Sequence, residues 1–219
     1  MTVPRALSRK MHENRSDGMT LPPDLSSTPG IEEYAGRYSP YYRHTDRFIC
    51  EMLRDAYKRE SQNGYMTRDE LLMADEWKNG GRHRHRILQN EEGSVFEQSH
   101  KAFRNEDIKP LMDLKGIGVA TASAIMHFAF HKKYPIIDRY ALETLGIGEP
   151  QSRNLERYWN DYQKSCCIWA EEYNVDLRTL DRALWQHRLE KSDRRSRCAQ
   201  KRANGLSAGP FREHTNSTL

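Results

Sequence analysis

Residues 113–125 read DLKGIGVATASAI, with Gly116 and Gly118 one residue apart between two apolar stretches. EDIKPLMDL (106–114) and VATASAIMHFAF (119–130) both carry apolar faces at helical spacing, and KGIG is all that joins them. A connection this short makes consecutive helices lie back to back. Glycine allows backbone geometry, including positive φ, that a side chain would obstruct. Ala120, Thr121, Ala122, Ser123 and Ala124 are small enough for the second helix to approach the first closely. The result is a row of backbone N–H groups at a helix N-terminus beside glycines, an arrangement suited to a phosphate. The alternative is an ordinary αα-corner in which the glycines serve packing alone.

The flanking sequence is helical as well. HTDRFICEMLRDAYKR (44–59) places Phe48, Ile49, Met52, Leu53, Ala56 and Tyr57 on one face. TRDELLMADEWK (67–78) opens with Thr67 three residues before Glu70, the spacing of a capping box, and stops before Gly80 and Gly81. SVFEQSHKAFR (94–104) offers Val95, Phe96 and Phe103. LERYWNDYQKSCCIWAEEY (155–173) and DLRTLDRALWQHRLEK (176–191) complete the set. No alternating strand competes, since YPII (134–137) is too short. The expectation is an all-α domain over 34–192, with a flexible lead-in at 1–33 and a basic, flexible tail at 193–219.

The chain of 219 residues is polar, with 37% hydrophobic and 30% charged residues. Its net charge of +4 is unevenly spread. Residues 188–202 carry seven Arg or Lys against Glu190 and Asp193, a net +5, so the remainder sums to about −1. Such an arm holds phosphate backbones without sequence preference, or is simply a solvated tail. Adjacent Cys166 and Cys167 cannot bridge each other, and Cys50 and Cys198 complete no C-x₂-C pair, so reduced thiols are expected and no metal or cluster. No apolar run is long enough for a membrane span. The N-terminus has Arg5, Arg9, Lys10 and Arg15 but no apolar core of a secretory signal, and Glu13 and Asp17 break a presequence pattern. A cytoplasmic or nuclear protein, not a secreted one, is the expectation.

The string L-x-G-I-G-x-x-T-A-x-x-I resembles the helix-hairpin-helix element of DNA-binding proteins. The resemblance extends to the helix-hairpin-helix base-excision DNA glycosylases, in which an essential Asp follows the hairpin by about twenty residues, at the start of the next helix. Here YPIIDRYALETLG supplies Asp138. The likeness is firm over roughly 111–146; beyond that, over 40–190, only the number and order of helices agree. It implies that Lys115, Gly116, Ile117, Gly118, Val119, Ala120 and Thr121 hold the backbone of duplex DNA, and that Asp138 stabilises positive charge on the sugar of a flipped nucleotide and orients a water. The bland reading of Asp138 is a helix N-cap, stabilising by roughly 1 kcal/mol. The two roles are compatible, because capping fixes the second carboxylate oxygen. Two departures matter. Ala120 stands where bifunctional members carry a Schiff-base lysine, and the four-cysteine cluster loop of several members is absent. The resemblance therefore implies a monofunctional hydrolase without cofactor, releasing a damaged or modified base.

DEWKNGGRHRHRI (75–87) supplies Trp77 and Lys78 as candidate pocket residues and Arg82, Arg84 and Arg86 as candidate phosphate contacts; a core Trp followed by a solvated basic turn is the alternative. His83 and His85 lack a helical metal spacing. Asp181 pairs with Arg178 or Arg182 or adds a second carboxylate to the pocket, and Trp185 reads as core. His127 and His131 lie four apart on the second hairpin helix. Two further functions stay open: a noncatalytic nucleic-acid-binding module and a helical interaction protein with neither activity.

Overall fold

The computed structural model describes residues 18–206 apart from positions 39, 63, 131–132 and 149–150, with side chains undescribed at 40–44, 60–62, 152–153 and 193–206. Among the described residues ten α-helices follow one another: α1 Thr28–Arg37, α2 Pro40–Gln62, α3 Arg68–Asn79, α4 Arg84–Ile87, α5 Glu92–Asn105, α6 Lys109–Met112, α7 Val119–Phe130, α8 Arg139–Thr144, α9 Trp159–Glu172 and α10 Leu177–Leu206. Two 3₁₀ segments, Pro23–Leu25 and Ser152–Tyr158, complete the pattern. The protein is all-α, with no strand among the described residues. None of their helices is long and apolar enough to cross a membrane.

Helix α7 is the centre. Its residues Val119 and Thr121–Ala129 are all buried, so it is enclosed around its whole circumference and mostly apolar, with Thr121, Ser123 and His127 as its buried polar members. α2 and α3 pack on it from one side, and α10 runs along α1 and α8. In α2 the buried stripe is Ile49, Leu53 and Ala56, whereas Phe48 is 58% exposed. One residue from Ile49 means a rotation of about 100°, which carries Phe48 off the stripe. Phe96 in α5 is exposed beside buried Val95 for the same reason. α3 begins as its sequence predicts: the Thr67 hydroxyl accepts from Glu70 N–H, and the Glu70 carboxylate accepts from Thr67 N–H. It ends at Gly80 with φ +62.

Three expectations are corrected. Residues 18–33 are not a loose lead-in, because Met19, Leu25 and Ile31 sit in the core. A 3₁₀ turn opened by Pro23 and a helix capped by the Ser27 hydroxyl dock there against α10. The tail boundary at 193 falls inside α10, which runs on to Leu206. The first hairpin helix is only the single turn α6, with Pro110 in its first positions. Cys50, Cys166 and Cys167 are free thiols, and burial pushes the Cys166 thiol well up. The Cys198 side chain, His131 and residues 1–17 and 207–219 lie outside what is described.

Candidate functional site

The turn between α6 and α7 requires one of its glycines. Gly116 has φ +86, and a Cβ there would come within 2.9 Å of Ile87 Cγ1 and 3.1 Å of Arg86 Cβ. Gly116 thus lets the turn press onto α4. Gly118 has neither constraint; a Cβ added to it meets nothing within 4 Å. Its carbonyl accepts from Ala122 N–H, so it stands at the cap of α7 with no side chain to satisfy the first-turn amides of Val119, Ala120 and Thr121. Lys115 and Gly118 are exposed, while Ile117, Val119 and Thr121 are buried, so those three can offer a ligand main chain rather than side chain.

The extended segment 134–137 is pinned along its length. Ile137 N–H donates to Ser123 Oγ at 3.2 Å, and Tyr162 Oη donates to Ile136 O at 2.9 Å. The His127 ring Nδ1 lies 2.6 Å from Tyr134 O, and Tyr134 Oη reaches Glu106 O. This holds Asp138 at the start of α8, where its Oδ1 accepts from Ala141 N–H at 2.8 Å. Its Oδ2 accepts from Lys78 Nζ at 3.2 Å, the two side chains being 19% and 10% exposed. One oxygen is thus a cap and the other a counter-ion.

Two hollows meet at this pair. An open cleft of about 830 Å³ is lined by residues 112–121 of the hairpin, by Lys78, Asn79, Arg82, His83 and Arg86, and by Asp138. Beside it lies a cavity of about 220 Å³, walled by Tyr38, Trp77, Ile136, Arg178 and Asp181. Lys78, Asp138 and Trp185 line both. Trp185 is therefore a wall rather than core. Trp77 faces the cavity, half-buried, with its Nε1–H donated to Asp46 Oδ1 at 3.2 Å and its ring edge-on to Phe128.

The cavity floor is a buried charge network. Arg178 donates to Asp46 at 2.6 Å through Nη2, to Asp181 through Nη1 and to the Tyr38 hydroxyl at 3.3 Å. Arg182 also pairs with Asp46, at 2.9 Å. Of the two arginines open to Asp181, it is Arg178 that takes it. Burial is the largest influence on Asp181 and lifts its carboxyl to about 6, with Arg178 and Lys78 pulling down and Asp138 and Asp46 pushing up. Burial likewise lifts the Tyr38 phenol to about 12.

The sequence brought out Asp138, Lys78, Trp77 and the hairpin, and all of these line one hollow or the other. It missed Asp46 and Tyr38. The available signal was a carboxylate, Asp46, three residues before Ile49 on the buried face of α2. It also missed the role of Asp75, which sits fully buried below the cleft. Compared with known protein families, curated proteins and solved structures, the chain matches none.

Proposed function

We propose that this chain is a DNA glycosylase-like hydrolase that opens the N-glycosidic bond of a damaged or modified base. The carrying observation is the position of Asp138 at the meeting of an open cleft that contains the hairpin amides and a smaller cavity of heterocycle size. At a liquid share of ~30 Å³ per water, the cavity holds roughly seven waters. That is room for a flipped base, whose extrusion costs a few kcal/mol that contacts in the cavity must repay.

In this reading a backbone phosphate lies against the main chain of 115–121, with Lys115, Arg82 and Arg86 around it. The extruded base enters between Trp77, Trp185 and Tyr38, and its sugar comes to rest at Asp138. Departure of the base builds positive charge on the sugar, as in glycoside hydrolysis. The Asp138 carboxylate, fixed through Oδ1 by its cap bond, opposes that charge and orients the attacking water. Lys78 acts as the carboxylate's counter-ion, and Ala120 in the hairpin offers no amine, so hydrolysis without strand cleavage is the outcome.

The experiment is a panel of duplexes carrying uracil, hypoxanthine, oxidised, alkylated and bulky modified bases, incubated with the protein and then heated in alkali. Strand breaks that need the alkali step, with no adduct trapped by borohydride, support the reading. Breaks before alkali, or an adduct on Lys78, would overturn its monofunctional part. A noncatalytic nucleic-acid-binding module is the second reading, favoured by both Asp138 oxygens already having partners. It expects salt-dependent duplex binding and no base release from any member of the panel.

A further inference from the structure

His83 stands at the head of α4, beside the hairpin turn and on the wall of the cleft. Its ring Nδ1 is 2.9 Å from Asp75 Oδ1, and its backbone N–H donates to Asp75 Oδ2 at 3.0 Å. Asn79 Nδ2 donates to the same Asp75 Oδ1 at 2.6 Å and to Thr121 Oγ1, in the first turn of α7, at 2.9 Å. Asp75 is 0% exposed, and these bonds occupy both of its oxygens. An acceptor-only carboxylate fixes the tautomer of the imidazole it faces: the proton belongs on Nδ1. The opposite ring nitrogen, Nε2, has no protein partner among the described residues, and the side chain is 34% exposed to the cleft.

That lock has a consequence for an anion. An unrestrained neutral histidine can turn its N–H toward a phosphate oxygen. This one cannot, because its single proton is held by Asp75, and a neutral ring presents only a lone pair to the cleft. Protonated, the same Nε2 becomes a charged donor. We infer that His83, oriented by Asp75, is a proton-gated ligand for a DNA backbone phosphate at the hairpin. The inference rests on the nucleic-acid reading of the cleft but not on catalysis by Asp138.

The charged and titratable groups along this cleft and on the elements beside His83 are Asp75, Glu76 and Lys78 from α3, Arg82 beside it in the chain, Arg84, His85 and Arg86 from α4, Asp113 and Lys115 from the hairpin, and Asp138 and Arg139 at the start of α8. Imidazole is the one side-chain type among these whose ordinary chemistry changes charge between about pH 5 and 8. Asp181 in the adjoining cavity, with its carboxyl at about 6, lies in that window, and His85 on α4 is a second exposed imidazole, so Asp181→Asn and His85→Gln are the control backgrounds.

The test is fluorescence anisotropy of a labelled duplex at constant ionic strength from about pH 5 to 8, in the parent and two variants, each checked for an unchanged melt. The parent's affinity should fall with rising pH by about tenfold in all, at most about threefold per unit, for one linked proton worth tenfold in binding. His83→Gln should bind roughly tenfold more weakly than the parent at the acid end and show a flat profile. His83→Lys should bind as tightly as the acid-state parent at every pH, a rescue that a purely structural histidine would not give. A His83→Gln profile that keeps the parent's slope, or a parent with no slope, overturns the inference. Base release from the duplex panel, if it persists in His83→Gln at saturating protein, leaves the glycosylase reading standing when this one falls. Absence of duplex binding by the parent at any pH overturns both.

Discussion

On the cavity floor, Arg178 and Arg182 are held by Asp46 and Asp181, every one of them in an ion pair and mostly out of water. On the rim of the cleft, Arg82, Arg86 and Lys115 stand in solvent and form no ion pair with any described residue. The same residue types thus serve opposite ends. Charges taken out of water must be compensated inside the fold, and removing one partner strands the other. Charges left at a rim cost the fold nearly nothing and stay available to an outside anion. Floor substitutions should therefore be read in stability and rim substitutions in affinity.

The largest effect expected is at Arg178. Arg178→Ala leaves Asp46 with a single arginine and Asp181 with none, and should cost about 3–5 kcal/mol in denaturant unfolding. A loss below ~1 kcal/mol would mean the floor is not a coupled unit. Next come the two glycines, which separate the two kinds of effect within three residues. Gly116→Ala meets both a positive φ and the α4 side chains, and should destabilise by ~1–3 kcal/mol. Gly118→Ala should leave stability within ~0.5 kcal/mol, yet weaken duplex binding because its new methyl group stands before the amides. Equal stability losses at both positions would contradict the assignment.

The floor should also announce itself in pH. The folded chain takes up a proton on Asp181 at about 6, whereas the unfolded chain, at the ordinary 3.8, does not until lower pH. This group's contribution to stability therefore rises as pH falls from about 6 toward 3.8, and Asp181→Asn removes the rise. The difference in melting temperature between parent and variant, followed across that window, checks the sign; a difference that does not move contradicts it. The smallest effect belongs to the rim. Lys115→Ala should leave the melt unchanged and reduce the slope of log affinity against log salt by ~0.9. An unchanged slope would remove Lys115 from the interface.

Much of the fold was legible because it rests on local rules. The Thr67–Glu70 box, the Gly80 stop and the stripe in α2 are all set by residues a turn or less apart. The turn at Gly116 was legible as a need for glycine, although not the neighbour responsible: that is α4, some thirty residues upstream. What escaped depends on long-range placement. Nothing near Leu25 or Ile31 announces that they reach the core, because the partner they dock on, α10, lies some 150 residues away. Asp46 and Asp181 likewise meet on one guanidinium from opposite ends of the chain. Asp138 was found from its position after the hairpin, and the lysine facing it comes from α3, sixty residues before.

The central claim is tested most directly by Asp138→Asn. Asparagine keeps an oxygen for the cap but no charge for the mostly buried Lys78, so the variant should still fold, about 1–3 kcal/mol less stable in the melt, with duplex affinity close to the parent's. Base release from whichever member of the duplex panel the parent cleaves should be lost. A variant that binds duplex and releases base as fast as the parent would contradict the account.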